Sequence, residues 1–225
     1  MCKKAGRCKI EWVSISFKSR KATLRLYDHL SRWYDLLSGP AEERARLYAL
    51  NLLTPQAGEW VVEIGSGTGS MLGRMGQGVG ERGQVLGVDL SENMMRVAAK
   101  KVEGKKMISL ARADAIQLPI TAGRVDAVFM SFTLELFSLE EIPMVLAECR
   151  RILRQGGRLC VLAMSRPTPE PILVKIYTWL HNRMPNWLDC RPVELKSILE
   201  ANGFNILRAE QGSIFGLPVE MILAQ

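Results

Sequence analysis

The chain has 225 residues and 25.2 kDa, 48% of them hydrophobic and 24% charged, a balance that excludes collagen-like, disordered and disulfide-dense classes and suits one globular domain. No run of 18 apolar residues occurs, which excludes a membrane-spanning helix. The net charge of +7 is not spread evenly: residues 1–25 hold Lys3, Lys4, Arg7, Lys9, Lys18, Arg20, Lys21 and Arg25 against Glu11 alone, and the remainder is balanced, which disfavours a nucleic-acid partner.

Residues 1–23 are basic, Ser-containing and acid-poor, and lack the apolar core of a secretory signal. They are expected to be a flexible N-terminal arm, with a transit-like peptide or a membrane-surface anchor as the other readings. Residues 24–225 are expected to form the single domain. In residues 24–38, Leu26, Leu30, Trp33 and Leu37 recur at helical spacing, and Gly39-Pro40 ends that helix. A second helix follows over 41–53. The rhythm then changes. Short apolar runs at 60–64, 84–89, 107–111, 125–131 and 157–164 alternate with helices from about 68, at 91–103 and at 139–153. Strands alternating with helices predict βαβ units and a parallel, doubly wound sheet, and near-continuous apolar strands predict that both faces are covered. After a Pro-rich loop at 166–171 and a helix at 192–202, two runs separated by Gly216-Leu217-Pro218 predict an antiparallel pair.

Five cysteines with no C-x-x-C, and only His29 and His181, support neither a disulfide framework nor a metal site. Cys149 and Cys160 fall in apolar stretches and read as core residues, and a reducing cytoplasm fits this usage.

The most informative segment is Val61-Val62-Glu63-Ile64-Gly65-Ser66-Gly67-Thr68-Gly69, where the first strand of the alternating series turns into a helix. Glycines there let the backbone approach a ligand and present donors at a helix N-terminus. The spacing is G-x-G-x-G, one residue tighter than the dinucleotide fingerprint, and no G-K-[ST] follows. Asp89 ends the next strand, 20 residues beyond Gly69. A carboxylate there suits the vicinal hydroxyls of a ribose; capping the helix that follows is the alternative.

These residues, with Asp114 after the third strand of the series and Gly156-Gly157 before the fifth, resemble the class I S-adenosylmethionine-dependent methyltransferases. The resemblance implies a Rossmann-like seven-stranded sheet, mostly parallel with an antiparallel last hairpin and helices on both faces. It implies S-adenosylmethionine as cofactor, with Glu63, Gly65, Ser66, Gly67, Thr68 and Gly69 around its methionine end and Asp89 at the ribose. Leu90, Met94, Asp114 and Ala115 are implied at the adenine. For Leu90 and Met94 a core role is the alternative, for Asp114 a turn, and for Thr68 a capping hydroxyl.

Tyr34-Asp35-Leu36-Leu37, Ser131-Phe132-Thr133-Leu134, Arg151 to Gly157, and the Ser165-Arg166-Pro167 stretch running into Lys175-Ile176-Tyr177 are similar to the ubiquinone/menaquinone biosynthesis C-methyltransferases. That resemblance implies a prenylated quinone precursor as substrate and a cofactor contact at Ser131. Two departures bear on the substrate: Glu135-Leu136 replaces the family's Arg-Asn, and the insert over 185–192 is short. The candidate proton acceptors are Glu135, Tyr34 and His29, and a small lid is expected from 24–56 and 166–193. N- or O-methylation of another small molecule, such as a phospholipid headgroup, and a non-catalytic cofactor-binding protein are the rival readings. The expected location is the cytoplasm, with the basic arm touching the inner membrane face.

Overall fold

The computed structural model describes residues 10–12, 34–167, 169, 171–183 and 191–225. In chain order the elements are β1 (Ile10–Trp12), α1 (Tyr34–Leu53), β2 (Trp60–Ile64), α2 (Leu72–Val79), β3 (Gln84–Asp89), α3 (Glu92–Lys101), β4 (Ile108–Arg112) and β5 (Val125–Ser131). A 3-10 turn (Leu134–Leu136) follows, then α4 (Ile142–Ile152), β6 (Leu153–Met164), α5 (Ile172–Arg183), α6 (Leu195–Ala201), β7 (Ile206–Ile214) and β8 (Leu217–Ala224).

The strands form one sheet in the order β1-β4-β3-β2-β5-β6-β8-β7. β2 pairs in parallel with both β3 and β5, and the sheet grows outward from that pair in two directions. β8 runs antiparallel between β6 and β7, closing the sheet with the expected hairpin. Seven of these strands are the expected set. The eighth is β1, three residues inside the basic arm, whose register on β4 places Ile10 opposite Leu110 and Trp12 opposite Arg112. Three residues carry too little periodicity to announce a strand on their own.

The period-2 alternation explains the two-sided core. Val62, Ile64, Val128, Met130, Leu159 and Val161 point into one apolar cluster, which α4 fills with Val145, Leu146 and Cys149. Val61, Ala127, Phe129, Cys160 and Leu162 point into the other, filled by Leu50 and Leu53 of α1, Met75 of α2 and Met95 of α3. Cys149 and Cys160 are both free and buried, and burial pushes each thiol up to about 12, so neither is a reactive thiolate.

The boundaries deviate where local chemistry overrides pattern. α1 is broken at Gly39 (φ 67°, ψ 168°), as the Gly39-Pro40 pair predicts, while residues 24–33 of the expected first helix lie outside the described residues. α2 starts at Leu72 rather than near 68, because Gly65, Gly67 and Gly69 all take positive φ and hold the loop open for longer. β6 starts four residues before its expected Gly157: Leu153 already pairs with Val125, and a bulge precedes the Ala127–Arg158 pair. α5 falls within the stretch expected as a lid.

Candidate functional site

In an open α/β sheet, ligands bind at the carboxyl ends of the strands where the strand order reverses. Here that point lies between β2 and β5. A cleft of about 1000 Å³, counted out to its open mouth, occupies it. Its walls come from the β2 loop, the end of β3, the start of α3, the loop after β4, the end of β5 and one side chain of α1.

The glycine loop is held in place from both sides. The N–H groups of Gly65 and Ser66 donate to the Val88 carbonyl at 2.8 and 3.0 Å, and Gly69 N–H closes a turn onto the Ser66 carbonyl. Gly65 is demanded by geometry: its φ is 72°, and a Cβ built on it would lie 2.2 Å from Thr133 Oγ1. The loop therefore packs its bare backbone at Gly65 directly against the Thr133 side chain leaving β5.

Asp89 ties the same loop to β3. Its Oδ2 accepts from Gly67 N–H and its Oδ1 from Ser91 N–H, each at 2.8 Å. The helix cap itself is made by Ser91, whose hydroxyl accepts from Met94 N–H at 3.2 Å. Each carboxylate oxygen has two lone pairs, so these contacts orient Asp89 while it can still accept from a ligand hydroxyl. Arg112 steadies the neighbouring turn by donating to the Leu90 carbonyl at 3.0 Å and pairing with Glu92.

Glu63 is the electrostatic centre of the site. It is 2% exposed, and its Oε2 has no hydrogen-bond partner among the described residues. Burial drives its carboxyl up to about 8; the nearby Arg46 guanidinium opposes that rise and the Asp89 charge adds to it. Arg46 comes from α1, is buried, pairs with Glu42 at 3.0 Å and lies 5.6 Å over the Phe132 ring. Ser66 Oγ is likewise buried without a partner among the described residues. An unsatisfied acid, an unsatisfied hydroxyl and a glycine cradle facing one cleft suit a ligand with an ammonium group and hydroxyls.

Of the residues named from sequence, Glu63, Gly65, Ser66, Gly67, Thr68, Asp89, Leu90, Met94, Ala115 and Ser131 all line the cleft. Gly69 shapes the loop behind it. The Thr68 hydroxyl accepts from Lys101 Nζ at 3.1 Å. Asp114 is not in the cleft wall. Its Oδ1 accepts from Ile116 N–H at 3.1 Å in a local turn, while its neighbours Ala113 and Ala115 face the cleft.

Glu135 also departs from expectation. It sits on the 3-10 turn after β5, but Leu136 and Phe137 form the cleft wall there. The Glu135 carboxylate is 2% exposed and accepts from Met164 N–H at 3.2 Å, bridging the ends of β5 and β6. In a 3-10 turn successive side chains point about 120° apart, so Glu135 and Leu136 face different directions, and Leu136 rather than Glu135 lines the cleft. His29 lies outside the described residues, as does the Tyr34 side chain, although Tyr34 opens the helix that carries Arg46 into the cleft.

Sequence reading missed Arg46, Phe132 and Thr133 as cleft residues. Phe132 takes a left-handed conformation (φ 51°), which costs a bulky residue of order 1 kcal/mol and is held by Phe132 N–H on the Leu162 carbonyl. That sharp turn aims Thr133 back at Gly65. The Ser131-Phe132-Thr133 segment carried the signal for two of them. Arg46 had none, because only the packing of α1 on β6 and β5 brings it to the cleft.

A methyltransferase-domain model matches residues 61–157, from β2 to the start of β6. A ubiquinone/menaquinone biosynthesis C-methyltransferase of Syntrophotalea carbinolica is 33% identical over 168 residues, covering 72% of this chain and 68% of that protein. One of Teredinibacter turnerae is 31% identical over 146 residues, covering 64% of this chain and 57% of its own length, so the chain spans under two thirds of that relative. A crystal structure of an S-adenosylmethionine-dependent methyltransferase from Aquifex aeolicus superposes with a TM-score of 0.66 at 23% identity, covering 86% of this chain and 97% of that one, and shares the fold. The chain belongs to the S-adenosylmethionine-dependent methyltransferase family, on the branch of the ubiquinone/menaquinone biosynthesis C-methyltransferases.

Proposed function

We propose that this protein methylates a carbon of a prenylated quinone precursor, using S-adenosylmethionine held in the cleft between β2 and β5. The observation that carries the cofactor assignment is the pairing of the glycine loop with Asp89, oriented by Gly67 and Ser91 N–H groups. The similarity to C-methyltransferases supports the substrate class.

S-adenosylmethionine supplies an activated methyl carbon on a sulfonium centre, and loss of that methyl leaves a neutral thioether. The chain's own contribution is placement. Asp89 takes the ribose hydroxyls, Leu90, Met94 and Ala115 enclose the adenine, and Glu63 with Ser66 receives the ammonium end. Phe132, Leu136 and Phe137 form an apolar wall that keeps water from the acceptor. Carbon methylation also needs a ring hydroxyl to lose its proton, so that electron density reaches the ring carbon. Tyr34 and His29 are the proposed groups for that proton. Among the described residues no helix is long and apolar enough to cross a membrane, and a lipid-like substrate is proposed to be reached by peripheral contact.

The test is incubation with labelled S-adenosylmethionine and a demethylated quinol. Label in a carbon-bound ring methyl group supports the reading. Label in an ether or amine product would shift it to O- or N-methylation. Cofactor binding with no transfer to quinols or to a total lipid extract would leave a binding protein.

A further inference from the structure

We propose that the outer face of α5 and the tip of the β7–β8 hairpin form a docking surface for an anionic lipid bilayer, placed beside the mouth of the cleft. This rests on the reading of a lipid-like substrate but is tested separately from it.

The observation is an apolar face turned outward from the described fold. α5 buries Val174 on one side. On the other, Ile172, Leu173, Ile176 and Trp179 are 76, 44, 50 and 58% exposed. Positions 172, 173, 176 and 179 share one helical face, so this is a stripe rather than scatter. The stripe continues onto the hairpin. Phe215, at its tip, is 75% exposed with φ 51°, and a Cβ on the adjacent Gly216 would lie 3.1 Å from Leu173 Cδ2. A Cβ on Gly39, at the break in α1, would lie 3.7 Å from Phe215 Cζ. Three elements thus meet in one patch. Single exposed apolar residues are ordinary, but a contiguous patch marks an interaction surface.

Position and charge select the bilayer. β8 pairs with β6 so that Val219 lies opposite Met164, and Ser165 N–H donates to the Pro218 carbonyl at 2.9 Å. The hairpin tip therefore stands at the carboxyl end of the parallel strands, the same end as the cleft. The sequence of α5 contains Lys175, His181 and Arg183 and no acid, and Lys175 is exposed at the border of the stripe. An apolar face with Trp, on a helix whose sequence has no acid and with Lys175 exposed at its border, is the chemistry of an interfacial helix on anionic lipid.

The experiment is flotation of the full chain with vesicles of phosphatidylcholine containing about 30% phosphatidylglycerol, against phosphatidylcholine alone. Binding to the anionic vesicles is expected, weakening as salt rises. Ile176→Glu with Phe215→Glu should reduce it at least tenfold while melting temperature and S-adenosylmethionine affinity stay unchanged. The neutral pair Ile176→Ser with Phe215→Ser should also reduce it, excluding charge repulsion as the whole effect. Vesicle binding equal to that of the unaltered chain in both variants would overturn the proposal. So would failure of the unaltered chain to bind, loss of binding only on deleting residues 1–23, or a dimer in sedimentation that the substitutions dissolve. Methylation of a soluble short-chain quinol separates the two readings: retained activity without vesicle binding removes the docking surface alone, and vesicle binding without activity on any quinol removes the substrate reading alone.

Discussion

Replacing Glu63 with glutamine should flatten the dependence of stability on pH. Burial moves the Glu63 carboxyl from 4.5 up to about 8, so between those values the folded protein holds a proton that the unfolded chain has released. Stability linked to this group is fully present below pH 4.5, declines as pH rises through the interval, and is lost above about 8. At 1.36 kcal/mol per pH unit the interval corresponds to at most about 5 kcal/mol, of which about 3 kcal/mol is gone by pH 7. For a chain of this length, 1 kcal/mol moves the melting temperature by roughly 2–4 °C. The unaltered protein should therefore lose on the order of 10 °C between pH 5 and 8 through this residue. Glutamine is nearly isosteric with glutamate and never ionises. The melting curve of the Glu63→Gln variant should therefore lack that component and cross above the unaltered one near neutral pH. Differential scanning calorimetry across pH 5–9, at constant ionic strength, is the assay. Parallel curves for the two proteins would refute the argument, because Glu63 would then titrate like an exposed acid. A linked measurement uses the cofactor: an ammonium placed beside Glu63 favours the carboxylate, so binding at pH 7 should release a fraction of a proton, read by calorimetry in buffers of different ionisation enthalpy.

Further outcomes follow from other contacts. Asp89→Ala should weaken S-adenosylmethionine binding at least tenfold, since it removes charge-assisted bonds worth about 1.5–3 kcal/mol each and also strips the Gly67 and Ser91 N–H groups of their acceptor; unchanged affinity in calorimetry would sink the ribose assignment. Gly65→Ala should abolish cofactor binding by driving a methyl into Thr133, and Thr133→Gly in the same chain should restore part of it, whereas no restoration would mean that the positive φ alone decides. Glu135→Gln should leave turnover within about threefold, because its carboxylate holds Met164 N–H rather than facing the cleft; a fall of about 10²-fold would return it to the role of proton acceptor. Arg158→Ala should cost about 2–3 kcal/mol in urea unfolding, because its guanidinium bonds both Glu59 oxygens at 2.8 Å and the Leu53 and Thr54 carbonyls; a loss under about 0.5 kcal/mol would show the pair to be screened.

Sequence alone determined what depends on neighbours along the chain. The alternation of short apolar runs with amphipathic stretches dictated a parallel sheet covered on both faces, because each strand had to bury side chains of both parities. The glycine spacing before α2 and the acid closing β3 located the ligand end of that sheet, since turn conformation and strand-end position are local properties. Tertiary structure decided what depends on which elements meet. Arg46 joins the cleft because α1 packs on β6 and β5, and no local pattern marks it above Arg44 of the same helix. Glu63 is legible as a motif acid, but the rise of its pKa to about 8 comes from its burial in the folded protein. Glu135 shows the converse: adjacency to the end of β5 suggested a place in the cleft, and the 3-10 turn pointed it to β6 instead. Direction within a tight turn is set by backbone dihedrals and by the nearest unsatisfied donor, here Met164 N–H, and composition records neither.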